Sequence, residues 1–171
     1  GQLKKNQPKQ LGNLQAALVT ANPINGELLA VVGSSTEFTG FNRAVDAKLQ
    51  VGSLLKPIIY LTAFEQGKYN LSSSVDDSPV ILKMSNNTTW TPSNYGGASH
   101  GTVPLITALA NSYNQAAVRV GTEVGIPSFL NQLYRMGAPQ PLPSYPASLL
   151  GAVNLSPMNM LGVYQVLATG G

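Results

Sequence analysis

Residues 51–60 read VGSLLKPIIY, and Lys56 is the one charged side chain among them. Ser53 lies three positions before Lys56, so a helix over this stretch would bring both side chains to one face. The neighbours of Lys56 (Leu54, Leu55, Ile58, Ile59) are apolar, which indicates a helix buried within the domain. Burial and the helix dipole both disfavour a cation in the first turn, so both are expected to lower the pKa of Lys56.

This pair of residues allows two interpretations. In the structural interpretation, Ser53 caps the helix and Lys56 extends its ammonium group to water. In the catalytic interpretation, Lys56 is a neutral amine beside a hydroxyl, which is a general base beside a nucleophile. The bare Ser-x-x-Lys pattern arises easily by chance, so it does not decide between them.

Hydrophobic patterning around this stretch predicts one β-hairpin and a mainly helical remainder. Apolar runs at 14–21 and 27–33 flank Asn25-Gly26, which is a hairpin signature. Residues 53–66 have the length of a helix, and Gly67 suits its end. An isolated hairpin is marginal, so further strands of its sheet are expected to come from elsewhere. Other helices are predicted from Thr102 as N-cap, over 115–121, over 126–136 and after Ser156-Pro157, with irregular segments at 34–51, 68–101 and 139–146.

Composition limits the possible classes of function. The chain has 171 residues, enough for one domain with a sizeable core, and a net charge of only +3. The lysines near the start belong to a polar leader at 1–13, so no nucleic-acid partner is predicted. The absence of Cys excludes disulfides and thiolate metal sites. No apolar run approaches the roughly 20 residues of a membrane span, and the start does not resemble a signal peptide, so any membrane anchor is expected upstream of this chain.

A Ser-x-Asn pattern occurs twice, at Ser85-Asn86-Asn87 and at Ser112-Tyr113-Asn114. The first lies in a polar stretch and is typical of a turn. The second lies at a predicted break between two helices, where a short loop can present both polar side chains to one cleft. Its structural alternative is helix capping, with a C-cap at Asn111 and an N-cap at Ser112 or Asn114.

Three long segments resemble consecutive blocks of a known family. They are FNRAVDAKLQVGSLLKPIIYLTAFEQG (41–67), WTPSNYGGASHGTVPLITALANSYNQAAVRVG (90–121) and LLGAVNLSPMNMLGVYQVLATGG (149–171). They resemble the transpeptidase domain of class A penicillin-binding proteins, the bifunctional peptidoglycan synthases, and most of all the 1b type of Gram-negative bacteria. The resemblance begins near residue 14 and implies an α/β (α+β) fold, the penicillin-binding transpeptidase or serine β-lactamase fold, with an antiparallel sheet and helices.

The resemblance also implies roles for four residues. Ser53 matches the nucleophile that is acylated, and Lys56 matches the base that takes its proton. Ser112 matches the hydroxyl that relays a proton to the leaving D-alanine amine, and Asn114 matches the side chain that holds the substrate peptide. The backbone N–H of Ser53 would supply half of the oxyanion hole. No cofactor and no metal are expected.

The sequence departs from the family pattern in two places. Tyr113 replaces the Asp of Ser-Asp-Asn, at a position that varies among the synthases. No Lys-Thr-Gly or Lys-Ser-Gly occurs anywhere. We therefore expect residues 14–171 to be the N-terminal part of a transpeptidase domain, with the strand that carries this triad beyond Gly171 or on a second polypeptide. A glycosyltransferase domain and a membrane anchor are expected upstream, and the isolated chain is expected to be inactive.

The function implied is D,D-transpeptidation of peptidoglycan stem peptides ending in D-Ala-D-Ala, at the periplasmic face of the bacterial inner membrane, with β-lactams acylating the same serine. One alternative is a serine β-lactamase, disfavoured because no Glu follows Glu123 to serve in deacylation. Another is a penicillin-sensing module that is acylated without turnover. A third, purely structural interpretation leaves Lys56 solvated.

Several other residues carry weaker signals. His100 is the only His and lies in a Gly-rich loop, which favours a role at the surface or at the rim of a cleft over metal binding. Trp90, Tyr95 and Tyr113 are expected to pack in the core or loops. Asn94 and the glycines after it are expected to form a turn near the cleft.

Overall fold

A computed structural model describes residues 15–35, 40–84 and 87–171. The polar leader at 1–13 and the pair Ser85-Asn86 lie outside the described residues. The chain divides into two compact units, one formed by Gly1–Lys48 with Leu155–Gly171 and the other by Leu49–Asn154. The described strands are β1 Leu18–Ala21, β2 Leu28–Val32, β3 Leu49–Gln50, β4 Ser74–Asp76, β5 Leu82–Lys83, β6 Thr89–Trp90, β7 Thr102–Pro104 and β8 Asn154–Leu155. The described α-helices are α1 Lys56–Glu65, α2 Leu105–Ala110, α3 Asn114–Val124, α4 Ile126–Arg135 and α5 Pro157–Thr169.

The first unit contains the predicted hairpin. Strands β1 and β2 pair antiparallel with Leu18 opposite Val32. The turn between them is closed by a hydrogen bond of 2.9 Å from the N–H of Gly26 to the carbonyl of Asn22, and Gly26 adopts a φ of 72° that favours glycine. Leu18 and Leu29 remain more than half exposed. The prediction of a hairpin at Asn25-Gly26 is confirmed.

Helix α5 packs against β1 in the same unit. It begins with a capping box, in which Ser156 accepts from the N–H of Asn159 and Asn159 accepts from the N–H of Ser156. It ends at Gly170, in the left-handed conformation. The predicted start of this helix after Ser156-Pro157 is confirmed.

Helix α1 is the centre of the second unit, where it packs against α3 and α4. Leu55, Ile58, Ile59 and Ala63 are fully buried, whereas Leu54, expected among the buried residues, is 48% exposed. A 3₁₀ turn over Gly52–Leu55 precedes the α-helix, so Ser53 lies on this turn and Lys56 is the first α-helical residue. The helix ends before Gly67, as predicted.

The turn that carries Ser53 is held by a close backbone contact. The N–H of Gly52 donates to the carbonyl of Gly151 at 3.1 Å. A Cβ on Gly151 would lie 2.0 Å from the carbonyl oxygen of Gly52. Since Gly151 also has a φ of 78°, only glycine fits there without moving the turn.

Thr102 is not a helix N-cap. It belongs to β7, which pairs antiparallel with β4 and places Thr102 opposite Asp76. Pro104 is extended, with φ −60° and ψ 143°, so α2 begins only at Leu105. Segment 68–101 was predicted to be irregular but contains three short strands. Strand β4 pairs with the distant β7, whereas β5 and β6 pair with each other, and in both cases strand pairing outweighs local turn propensity. The break between α2 and α3 and the helix predicted over 126–136 are confirmed. Helix α3 continues to Val124, beyond its predicted end at residue 121.

Among the described helices, none combines the length and the apolar character that crossing a bilayer requires.

Candidate active site

The side chain of Lys56 is the centre of a buried polar cluster. It is 2% exposed, although it begins a helix. Its Nζ donates to the carbonyl of Ser112 at 2.5 Å, to the Ser112 hydroxyl at 3.0 Å and to Asn114 Oδ1 at 2.5 Å. The Ser-x-x-Lys and Ser-x-Asn patterns, separated by more than 50 residues of sequence, therefore meet at one amine.

Burial lowers the pKa of Lys56 from its ordinary 10.5 to about 8, because desolvation penalises the ammonium form. The negative charge of Asp77 opposes this shift. At a pKa near 8, an appreciable fraction of the amine is neutral at physiological pH. The interpretation in which Lys56 reaches water is wrong, since its side chain is almost entirely inaccessible.

Ser53 lies on the 3₁₀ turn directly before Lys56, and its side chain is exposed. Its carbonyl accepts from the N–H of Lys56. Within the described residues, no hydrogen bond joins the Ser53 hydroxyl to Lys56 or Ser112. The structure thus brings together the side chains of Lys56, Ser112 and Asn114. It places Ser53 on the adjoining turn, and among the described residues its hydroxyl makes no hydrogen bond to these three side chains.

The Ser112–Asn114 segment is a tight turn between α2 and α3. Asn111 is the C-cap of α2, as the capping interpretation proposed. Ser112 has a φ of 56°, which is uncommon for a residue other than glycine and costs energy unless the surroundings fix it. Neither Ser112 nor Asn114 caps α3, whose N-cap residue Tyr113 makes no side-chain cap hydrogen bond. The side chains of Ser112 and Asn114 are therefore available to accept hydrogen bonds from Lys56.

The start of α3 is capped instead by residues distant in sequence. Asn94 Oδ1 accepts from the N–H of Asn114 at 2.6 Å and of Gln115 at 3.2 Å. Asp77 Oδ1 accepts from the N–H of Ala116 at 3.0 Å. We call Asp77 and Asn94 together the α3 cap. A carboxylate at a helix N-terminus is stabilised by the exposed N–H groups and by the helix dipole.

Asp77 is fully buried, and its second oxygen is satisfied too. Oδ2 accepts from Asn94 Nδ2 at 2.6 Å and contacts His100 Nδ1 at 2.7 Å. Because an ionised carboxylate can only accept, Nδ1 of His100 carries the proton in this contact. Sequence reasoning missed Asp77 entirely, since one Asp in a polar loop carries no local signal.

His100 lies at the rim of this cluster, with its side chain 34% exposed. Its ring stacks on the ring of Tyr113, with centroids 4.0 Å apart and an interplanar angle of 6°. This partly exposed position of His100 agrees with the prediction that it lies at the surface or at the rim of a cleft. Within the described ranges, no group of three or more His, Asp or Glu side chains is arranged to hold a metal ion.

The other residues singled out in the sequence, Asn94, Trp90 and Tyr95, lie in the loop before β7 or in the short strand pair that precedes it. Asn94 accepts from the N–H of Gly97 through its carbonyl, at 2.9 Å, which forms the predicted turn. Trp90 pairs with Leu82 between β5 and β6. Tyr95 is fully exposed, so the expectation that its ring packs in the core or a loop is wrong.

Comparison with known proteins matches residues 16–171 to the family described as the penicillin binding protein transpeptidase domain. The chain belongs to the penicillin-binding protein transpeptidase family. It is 38% identical over 168 residues to penicillin-binding protein 1B of Escherichia coli, covering 95% of this chain and 20% of that protein. It is also 38% identical over 162 residues to penicillin-binding protein 1B of Vibrio cholerae, covering 93% of this chain and 21% of that protein.

A solved structure supports the same family. The crystal structure of penicillin-binding protein 1A from Haemophilus influenzae superposes with a TM-score of 0.83 at 36% identity, covering 89% of this chain and 23% of that one. The expected fold and the homology to class A penicillin-binding proteins of the 1B type are thereby confirmed. The chain spans about a fifth of the length of the curated relatives it matches.

Proposed function

We propose that this chain carries the acylation site of a serine D,D-transpeptidase that cross-links peptidoglycan stem peptides. The observation that carries the proposal is the buried Lys56 amine, with a pKa lowered to about 8, bonded to both polar residues of the Ser112–Asn114 turn. Ser53 is the proposed nucleophile, on the turn that leads directly into Lys56. Membership in a penicillin-binding family supports this chemistry.

The first step is proton transfer from the Ser53 hydroxyl to neutral Lys56. Ser53 Oγ then attacks the carbonyl carbon of the penultimate D-alanine, and the resulting oxyanion accepts from the backbone N–H of Ser53. The C–N bond to the terminal D-alanine breaks and leaves an acyl-Ser53 ester. An amine of a second stem peptide then attacks this ester and gives up a proton to neutral Lys56. The C–O bond to Ser53 breaks, and Lys56 returns that proton to Ser53 Oγ, which restores the hydroxyl.

The hydrogen bonds of Lys56 suggest how the proton leaves. An ammonium group has three N–H donors, which matches the three acceptors at Lys56. A neutral amine has two N–H donors and a lone pair. The Ser112 carbonyl and Asn114 Oδ1 can only accept, whereas the Ser112 hydroxyl can accept from the ammonium and then donate onward. Ser112 is therefore the proposed relay that returns the proton from Lys56 to the amine of the leaving D-alanine.

The remaining assignments belong to the same proposal. Asn114 holds the substrate peptide, and residues 14–171 form part of a transpeptidase domain whose Lys-Thr-Gly or Lys-Ser-Gly strand lies outside this sequence. The proposed partners are stem peptides and β-lactams, and the proposed location is the periplasmic face of the inner membrane in a membrane-anchored protein. A chain that lacks the carboxylate-binding strand is expected to react slowly with penicillin.

The test is covalent labelling of the natural full-length protein by a fluorescent penicillin. We expect one label per chain, carried by the peptide that contains Ser53, and no label on Ser53→Ala. Ser72→Ala is the matched control, because Ser72 is an exposed serine of the same unit.

Two results would contradict the proposal. Undiminished labelling of Ser53→Ala would remove Ser53 as the nucleophile. Loss of the label within seconds would indicate a β-lactamase instead of a transpeptidase.

A further inference from the structure

The ring of Tyr113 lies in the middle of the Ser112–Asn114 turn and is covered by the ring of His100. The two rings are nearly parallel, with centroids 4.0 Å apart. A stacked aromatic pair contributes attraction beyond the area it buries. The position at which Tyr113 replaces an Asp is therefore occupied by a side chain with a specific partner.

His100 is itself fixed from the other side. Its Nδ1 lies 2.7 Å from Oδ2 of Asp77, whose carboxylate is fully buried. A backbone hydrogen bond joins the same two segments, since the N–H of Asp77 donates to the carbonyl of Gly101 at 2.7 Å. A ring anchored at a buried carboxylate can hold Tyr113 in one orientation.

The turn needs such support. Ser112 has a φ of 56°, and backbone of this kind persists only where its surroundings determine it. The α3 cap fixes the N–H groups that follow the turn, at Asn114, Gln115 and Ala116. The stacked His100 ring acts on the residue before them, Tyr113, and so completes the support.

We propose that His100 is a positioning residue that holds Tyr113 and thereby keeps Ser112 and Asn114 in hydrogen-bond range of Lys56. The inference rests on the proposed function, because positioning acts on the acylation step. His100 does not touch the reacting atoms in this assignment. Its flat ring carries the effect, and its hydrogen bond to Asp77 orients that ring.

The test compares variants of the natural full-length protein in a rapid-mixing assay with a fluorescent penicillin. The assay separates the Kd of the first complex from the rate constant of acylation. We expect His100→Ala to lower the acylation rate constant about tenfold, with a smaller change in Kd. His100→Phe, which keeps a ring, should retain most of the rate, whereas His100→Gln, which keeps a donor without a ring, should behave like His100→Ala.

Tyr95→Ala is the matched control, because it removes a fully exposed aromatic residue from the same loop and should leave the rate unchanged. Tyr113→Phe, which keeps the ring that stacks on His100, should retain most of the rate. A wild-type rate in His100→Gln together with a slow His100→Phe would overturn the role of the ring.

A double-mutant cycle tests whether His100 acts through Tyr113. If it does, His100→Ala combined with Tyr113→Leu should be no slower than the slower single variant, because each change removes the same contact. Independent, multiplicative losses would overturn the proposal. A cycle built from His100→Gln and Tyr113→Leu gives the same answer if His100→Ala does not fold.

Hydrogen exchange separates a failure here from a failure of the proposed function. If the wild-type protein is not acylated at all, the proposed function is wrong. The effect of His100 on the turn is then measured by the exchange rates of the backbone amides of Tyr113 and Asn114. These amides should exchange about tenfold faster in His100→Gln than in the wild type, while the exchange rates of the amides of α5 should not change. Unchanged exchange at the turn would overturn the role of His100 whatever the activity.

Discussion

Helices α5 and α3 begin in different ways, and the difference separates structure from function in this chain. The capping box of α5 is built from Ser156 and Asn159, both within its first turn. The N–H groups at the start of α3 are bonded by Asn94 and Asp77, which lie 20 and 39 positions earlier along the chain. A local cap only stabilises its helix, whereas the distant cap also ties the Ser112–Asn114 turn to a buried carboxylate.

Helix α1 is a third case, because its start has no side-chain cap and carries a buried cation. We expect the largest effect here. Lys56→Met keeps the length of the side chain but removes the base, so acylation by a fluorescent penicillin should fall by about 10²- to 10⁴-fold. Lys68→Met is the control, since Lys68 is an exposed lysine of the same unit. Retention of the wild-type rate by Lys56→Met would exclude Lys56 as the base.

The α3 cap is tested next by Asp77→Asn. Asn keeps an acceptor for Ala116 but turns an amide nitrogen towards the donors on Asn94 and His100. We expect the free energy of local unfolding of α3, measured by hydrogen exchange, to fall by about 2 kcal/mol. Removing the negative charge should also lower the pKa of Lys56 below about 8, so the rise of the acylation rate with pH should move to lower pH.

The neighbouring Asp76 provides the control for this substitution. Asp76 pairs with Arg119 at 3.1 Å near the surface, so Asp76→Asn should have a smaller effect on stability. It should leave the pH profile of acylation where it is, because the charge that acts on Lys56 is that of Asp77. Equal effects of the two substitutions would mean that the α3 cap has no special role.

The comparison of helix starts also explains how far the sequence could predict this molecule. The hairpin at Asn25-Gly26, the end of α1 at Gly67 and the capped start of α5 depend on residues a few positions apart, and all three are confirmed. The assignment of Thr102 was wrong because its strand partner, Asp76, lies 26 positions away.

The same reason limits prediction of the candidate site. The family pattern named Ser53, Lys56, Ser112 and Asn114, and three of these side chains meet in the structure. Asp77 and the function of Asn94 could not be predicted, because each acts on helix α3 through backbone groups far along the chain. Hydrophobic periodicity and local motifs contain no information on such contacts.

A smaller effect is expected in the pH dependence of stability. The pKa of Lys56 is about 8 in the fold against an ordinary 10.5, so the unfolded chain binds more protons between these values and stability rises with pH. From pH 8 to about 9.5 the gain should be about 1.5 kcal/mol. Above about pH 10 the tyrosines oppose it, since burial raises the pKa of Tyr69 to about 12 and the folded protein retains protons that the unfolded chain loses.

This gain can be measured by urea unfolding of α1, read by pulsed hydrogen exchange at a series of pH values. Lys56→Met should abolish this part of the rise, whereas Lys68→Met should leave it intact. A rise that persists in Lys56→Met would show that another group is responsible.

The smallest effect is expected at the local cap, and it completes the comparison. Ser156→Ala removes the hydroxyl that accepts from the N–H of Asn159, so the free energy of local unfolding of α5 should fall by about 1 kcal/mol. Ser156→Gly should cost less than Ser156→Ala, because glycine leaves the N–H groups open to water, and this order separates capping from lost packing. Hydrogen exchange in α5 measures both variants. Neither should change the rate of acylation by penicillin; a slower rate in Ser156→Ala would mean that the start of α5 acts on the site and that the distinction between local and distant caps does not hold.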